Sequence, residues 1–446
     1  MCGGKGLLRE QVRFLSRRAM ITRQVCETCL RKMMAEGFRR VGLIGEQCWS
    51  DEGSYDLAAG SSLMPTASSH EPPRGDNSTV IFAINVDWFF ISHFQYLARC
   101  VLASGHEAVL ATHIGPKSQK LEGSGIHLVH LPFARNGLRP GGVVRSIRKL
   151  RDLITSSPRP ILHAFGNMGI IVGTLATMRL RGLRLVYTIT GRGYAAAAQT
   201  FSMRAMNHFS ALFNRLVADG KEVRWIVENT NDIASSGLSR AFREGRVTIV
   251  GGAGVDPAYY AYSTLPARPP LRIGFVSRLI WSKGLDIAVR AIEAARAHGC
   301  DVTLTVAGRR DLDNPRAYTE HELAGFSEVP GIEFIGHVDE VPDFWAMHHL
   351  LILPSRGGEG LPRCLLEAAS CGRPVLVSRV PGCAEFASAT RGWTVTSSDS
   401  GAFADAIIDI VSCPDLDARG AFARSVVQNG YSEDDVWEKV RACYFG

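Results

Sequence analysis

Two doubly wound α/β domains facing each other across a cleft are the fold that this 446-residue chain predicts. Three observations lead there. Short apolar runs bounded by turn residues alternate with helical segments, the pattern of parallel strands covered on both faces. The alternation occurs twice, and "YSTLPARPP" (262–270) separates the two series as a hinge. The length also exceeds what one ordinary core fills.

Taken in order, the first series opens with "TVIFAINV" (79–86) as a buried strand. The helix "SHFQYLARCVLASG" (92–105) ends at Gly105, and "EAVLAT" (107–112) is the next strand. "IHLVHL", "PILHAF" and "LRLVYTIT" continue the series, with helical segments at 141–155 and 168–180, and "RVTIVGG" (246–252) closes it. Strands of the second series are "LRIGFVS" (271–277), "DVTLTVAG" (301–308), "IEFIGH" (332–337), "LLILPS" (350–355) and "RPVLVS" (373–378). Ligands of open α/β sheets bind at the carboxyl ends of the strands, so both domains direct attention to the cleft.

Residues 1–77 stand apart. They hold a basic, helix-forming piece (about 7–40) and a Ser/Pro/Gly-rich linker, "SSLMPTASSHEPPRGDNS" (61–78), read as disordered. Residues 1–45 carry ten Lys/Arg and three Asp/Glu, hence +7, which is the whole net charge of the chain. The basic excess is a property of this tail, a solvated segment or one touching anionic lipid or nucleic acid. Cys26 and Cys29 in "CETC" have zinc-ligand spacing, but Cys48 and His70 make a poor second pair, so no metal site is expected. Eleven scattered cysteines suggest reduced thiols, arginines interrupt any N-terminal apolar run, and no apolar stretch is long enough to span a bilayer. A cytoplasmic place is therefore expected.

The chemistry concentrates in "GGEGLPRCLLEAASCGRPV" (357–375), which follows the strand "LLILPS". Glu359 falls in the loop at that strand's carboxyl end. Pro362 suits the first helical position, and Glu367 then lies in the second turn, about 10–12 Å along. Between them, a helix N-terminus offers unpaired N–H groups and a positive dipole end, favourable for phosphate. "VSRLIWSKGLD" (276–286) adds Arg278 and Lys283 at the same sheet edge. Cations and a helix end suit a diphosphate, and carboxylates suit hydroxyls, so the pattern fits a nucleotide diphosphate joined to a sugar.

With these motifs in hand, residues from about 78 to 430 resemble the retaining glycosyltransferases of family 4, which have the GT-B fold of two facing Rossmann-like domains. E-x7-E matches at Glu359 and Glu367, and R-x4-K at Arg278 and Lys283. "GGAGVD" (251–256) looks like the turn before the family's hinge, and "IEFIGHVDEVPDFW" like its base-binding segment. The resemblance implies domains at 78–265 (acceptor side) and 266–428 (donor side), with 429–446 as a final helix packing back on the first domain. By resemblance, Glu367 would bind the ribose and Glu359 the donor sugar near the anomeric centre. Arg278 and Lys283 would neutralise the diphosphate, assisted by the backbone of Gly360 and Leu361. His337 and Val338 lie where the family forms its base pocket, though His337 reads equally well as a loop histidine.

On the acceptor side, "NVDWFFISHFQYLA" (85–98) resembles the subgroup that makes bacterial surface polysaccharides, with Asp87-Trp88-Phe89-Phe90 replacing the Gly-Gly loop of many members. Asp87, His93 and Asn229 are the acceptor-side candidates. An Asx-turn explains Asn229 nearly as well, and a capping role is open for His93. His163 matches a family histidine near the donor sugar, against a buried, satisfied histidine. Gly191 and Gly193 serve backbone turns. The implied reaction is same-face transfer of a hexose or N-acetylhexosamine from a nucleotide sugar, expected to be UDP-linked, to a saccharide or polyprenyl-linked acceptor. No cofactor, metal or nucleic acid is implied.

Rival readings are a sugar-nucleotide epimerase of the same fold and a non-catalytic binding protein. A nicotinamide site is disfavoured because "GAGVDP" puts Pro257 where the third glycine belongs. Asp311-Leu312-Asp313 has the letters of a metal-binding Asp-x-Asp, but reads as a solvated loop. The basic helix "LRPGGVVRSIRKLRDLI" (138–154) could lie on an anionic cytoplasmic membrane face, or equally present a solvated face.

Overall fold

The computed structural model describes residues 77–132, 140–191, 201–220, 222–396 and 399–446. The basic extension, its "CETC" pair and Gly193 lie outside the described residues. The first domain has seven parallel strands: β1 (Thr79–Ala83), β2 (Glu107–Thr112), β3 (His127–His130), β4 (Ile161–Phe165), β5 (Arg184–Ile189), β6 (Val223–Val227) and β7 (Val247–Ile249). Their order is β3-β2-β1-β4-β5-β6-β7. The second has six parallel strands: β8 (Leu271–Val276), β9 (Val302–Ala307), β10 (Ile332–Gly336), β11 (Leu350–Leu353), β12 (Val375–Ser378) and β13 (Trp393–Val395), ordered β10-β9-β8-β11-β12-β13. In each sheet the order reverses beside the strand that comes first in the chain, between β1 and β4 or β8 and β11. This is the doubly wound arrangement, and it opens a crevice at the strand ends.

The central strands are buried on both faces, as their near-continuous apolar runs require: Thr79–Ala83 and Ile161–Phe165 are buried at every position, as is Leu350–Leu353. β6 and β13 were not legible as strands. Arg224 interrupts the first, and the second is three residues long. The opening segment also differs from expectation. β1 stops at Ala83, and Asp87–His93 is already helical, so the supposed loop Asp87–Phe90 is the start of a helix. Phe94, at φ −133°, breaks it from a second helix, Gln95–Ala103. Phe90 is fully buried beside Phe82 and Phe165, so these aromatics fill the core.

The chain crosses between domains twice. After β7 it passes through the 251–256 turn and the 262–270 hinge. Arg373, fully buried, donates to the Ser263 and Thr264 carbonyls and to the Trp345 carbonyl, so the hinge is held by charge-assisted bonds to backbone oxygens. The second crossing is at Ser432, where Val255 N–H donates to Tyr431 O and Glu433 N–H to Val255 O. Ser432 then caps the final helix, Glu433–Phe445, in a reciprocal box with Asp435. Val436, Trp437, Val440 and Tyr444 of that helix join Val80, Phe82 and Phe165 in the core of the first domain.

Seven cysteines in the described residues are free thiols, and no helix among those residues is long and apolar enough to cross a membrane. The basic helix, Pro140–Ser156, buries Val143, Leu150 and Ile154. Arg145, Arg148 and Lys149 are exposed, but Arg151 is turned inward and donates to the Met178 carbonyl at 2.7 Å.

Tyr444 is 1% exposed and its hydroxyl meets His163. Tyr444→Ala is expected to lower the stability of the first domain by about 3–5 kcal/mol, read as a fall in the urea midpoint without change of slope.

Candidate active site

The site is built where the carboxyl edges of the two sheets meet. On the donor side, β11 runs into Ser355 and Arg356, and the chain then turns through Gly357 (φ 127°) and Gly358 (φ 79°), backbone that a side chain would strain. The helix begins at Arg363, not at Pro362, which stands before it in an extended conformation (φ −60°, ψ 127°). Leu365, Leu366, Ala368 and Ala369 anchor this helix in the core, leaving Arg363 and Glu367 toward the cleft.

Lys283 and Glu359 touch: Nζ lies 2.8 Å from Oε2, with Ser355 Oγ 2.9 Å from Oε1. From sequence these residues are expected to hold separate ligand groups, diphosphate and sugar; in the structure they form one largely buried ion pair. Its position is fixed from behind. Arg356 makes a two-pronged pair with Asp286 (2.8 and 2.7 Å) and donates to the Trp281 carbonyl, and its guanidinium stacks 4.6 Å from the Trp281 ring. Arg316 also lies over that ring, at 4.5 Å. Tyr318 Oη donates to Asp286 at 2.5 Å. The loop bearing Lys283 is thus clamped to the loop bearing Glu359, which is the preorganisation a charge-stabilising site requires.

Glu367 is 9% exposed and Oε1 accepts from Tyr260 Oη at 2.9 Å, with Arg363 Nε at 3.2 Å. Burial pushes its carboxyl upward and Arg363 opposes this. Arg278 is half-exposed, pairs with Asp311 at 2.6 Å and lies 5.8 Å from the Trp88 ring of the first domain. Asp311 is therefore a partner of Arg278 and not a solvated loop residue. His337 is exposed beside Asp339, and the half-buried Val338 packs against the core of the second domain.

Facing this edge, His93 stacks on Phe89 with ring centroids 4.3 Å apart. Burial, joined by the positive charges of Arg363, Arg278 and Lys283, lowers it to about 3, so a neutral imidazole looks onto a cationic cleft. Among the other candidates, Asp87 is placed differently from expectation, and His163 takes the buried, satisfied reading. Asp87 is buried and accepts from Trp88 N, Gly115 N and Ser118 Oγ, a pin for the loop after β2. His163 is 1% exposed with both ring nitrogens engaged, by Tyr444 Oη at 2.5 Å and Thr188 Oγ1 at 2.6 Å; burial lowers it to about 3. Asn229 accepts from Asp232 N at 3.1 Å, three residues on and so a cap-like bond, not the two-residue Asx-turn, and its amide reaches across to the Gly360 carbonyl at 3.4 Å.

Sequence reasoning missed Arg363, Tyr260 and Glu228. Arg363 was accessible, four residues before Glu367 on one helix. Tyr260 and Glu228 reach the site only through tertiary packing. Glu228 follows β6, and its Oε2 accepts from the Leu361 N–H at 2.8 Å. The domains abut here through bare backbone: a methyl on Gly191 would lie 2.5 Å from Gly360 N.

The fold and the charges define a two-domain α/β protein with a cationic, carboxylate-flanked cleft. The family described as "Glycosyl transferases group 1" matches residues 270–413, and "Glycosyl transferase 4-like domain" matches 92–251. The chain belongs to these family 4 glycosyltransferases of the GT-B fold. It is 24% identical over 174 residues to the capsular polysaccharide biosynthesis glycosyltransferase CapM of Staphylococcus aureus, covering 39% of this chain and 45% of that one. It is 22% identical over 304 residues to the phosphatidylinositol N-acetylglucosaminyltransferase gpi3 subunit of Schizosaccharomyces pombe, covering 66% and 63%. The chain thus spans less than two-thirds of the length of either relative. The crystal structure of Anabaena Alr3699/HepE in complex with UDP-glucose superposes with a TM-score of 0.64 at 16% identity, over 82% of this chain and 99% of that one.

A Cβ at position 360 would lie 1.6 Å from Glu228 Oε2. Gly360→Ala is expected to prise the domains apart at a cost of about 1–3 kcal/mol, seen as a larger radius of gyration by small-angle scattering and a lowered melting temperature.

Proposed function

We propose that this chain is a retaining, metal-independent glycosyltransferase. It moves a hexose or N-acetylhexosamine from a UDP-sugar to a saccharide or lipid-linked saccharide acceptor in bacterial surface-polysaccharide synthesis. The observation that carries the reading is the convergence of Arg278, Lys283 and Arg363 with Glu359 and Glu367 on one sheet edge, facing the other domain. The relatives named above, a capsular transferase and an N-acetylglucosaminyltransferase whose name points to a lipid, support it, as does the UDP-glucose complex of the structural neighbour.

In this reading Glu367, oriented by Tyr260 and Arg363, accepts from the ribose hydroxyls. Arg278 and Lys283 hold the diphosphate, with the amides of Gly360 and Leu361. Glu359, freed from Lys283 as the phosphate takes over that cation, binds the donor sugar hydroxyls. Charge builds on the departing diphosphate in the transition state, and cations already in position stabilise it without reorganisation. That oxygen accepts the acceptor hydroxyl's proton on the same face, so retention needs no strong protein base. The neutral His93 stands at the acceptor side. His337 and Val338 border the base, and Asp87, His163 and Asn229 act as supports of the cleft wall. Metal independence is supported by the cation set and by the commitment of Asp311 to Arg278. The exposed Arg145, Arg148 and Lys149 would allow contact with an anionic membrane surface.

Calorimetry with UDP-, GDP-, ADP- and dTDP-sugars in EDTA tests the reading: one UDP-sugar should bind, and Glu367→Ala should weaken it about tenfold or more. No binding without metal, or equal binding by the variant, overturns it. Lys283→Ala is expected to lower the kcat of UDP release about 100-fold while changing donor affinity less.

A further inference from the structure

Glu228 is the charged group at this site for which the reaction above has no use. It is 8% exposed, and its carboxylate accepts from Leu361 N–H, an amide of the very loop assigned to the diphosphate. With no side chain at Gly360, the carboxylate lies directly against the loop backbone, where an anion using that amide must sit. The groups bearing on it are mostly acidic. Asp232 acts from the helix Asn231–Ser235, and Glu359 from the loop itself. Tyr96, from the helix Gln95–Ala103, is within electrostatic reach, and its hydroxyl is buried with no hydrogen-bond partner among the described residues. The neutral His163 lines the same small cavity as Glu228. A buried carboxylate beside two others is costly in its charged form. Burial pushes Glu228 up to about 8, against the pull of the Leu361 N–H.

We propose that Glu228, in its ionised form, holds the Leu361 amide as an internal anion while the donor is absent. A nucleoside diphosphate then takes this amide, and Glu228 stays beside the phosphate as a neutral carboxylic acid, its proton drawn from solvent. The inference rests on the donor-site reading above and adds to it a proton-linked competitor built into the opposite domain. The sign follows from like charge: a bound diphosphate favours the protonated acid, so binding takes up a proton, and UDP affinity falls as pH rises from 7 to 9. Glutamine at 228 is a neutral isostere that already has the bound-state charge.

The test is UDP titration of the full chain by calorimetry at pH 8.5, in two buffers of different ionisation enthalpy. The second phosphate ionisation is complete well below this pH, so any proton count belongs to the protein. Wild type should take up on the order of half a proton or more per UDP. Glu228→Gln should take up none and bind UDP about tenfold more tightly; Glu228→Ala, as a second variant, should do the same. Unchanged uptake in the variants, unchanged or weaker affinity, or zero uptake by wild type overturns the proposal. If UDP binds neither wild type nor variants, the donor-site reading itself falls and takes the proposal with it.

Discussion

The loop from Gly357 to Leu361 is gripped from both domains, and the rest of the cleft is arranged around that grip. Its amide at Leu361 is bound by Glu228, its carbonyl at Gly360 by Asn229, and its flank by Gly191 and Gly382, neither of which has room for a methyl. From its own domain, Ser355 and Lys283 hold the Glu359 carboxylate. A loop so placed cannot shift without loosening both halves of the protein. That is how a segment remote from the first domain in sequence comes to govern how the two domains meet.

Charge in the cleft is balanced internally. Lys283 is paired with Glu359, Arg278 with Asp311, Arg363 with Glu367 and Glu433. A charge left buried and alone costs several kcal/mol, so the site satisfies its cations with its own carboxylates. An anionic ligand exchanges one set of partners for another instead of filling bare cations. Discrimination then depends on the difference between two paired states, which rewards a ligand of the right geometry over one that is merely negative.

Much of this was legible in the sequence, and the reasons are physical. Parallel strands buried on both faces leave continuous apolar runs, so β1, β4, β8 and β11 stood out, whereas β6 with Arg224 and the three-residue β13 did not. Glu359, Glu367, Arg278 and Lys283 could be assigned to one edge because strand ends and helix starts place them there locally. What escaped was everything decided by tertiary contact. Asp87 and His163 have polar side chains that elsewhere would mark a site, yet Asp87 binds Trp88, Gly115 and Ser118, and both ring nitrogens of His163 are taken by Tyr444 and Thr188. Periodicity cannot show that a histidine has both nitrogens satisfied. Nor can it show that Glu228, one residue past a strand, finds its partner 133 positions away.

The final helix belongs to the first core while the helix before it, Leu416–Gln428, packs in the second. Two covalent links therefore join the halves, one near 262–270 and one near 429–432. A body joined at two points bends about the line between them and resists twisting, so the relative motion of the domains is reduced toward a single degree of freedom. The same threading has a bearing on descent. A recombination event that exchanged the donor half alone would need two crossovers, because a single junction after the hinge would import a foreign last helix into the first domain's core. Donor and acceptor halves in such a topology are tied as one heritable unit, with the 433–445 helix as the part that each must match.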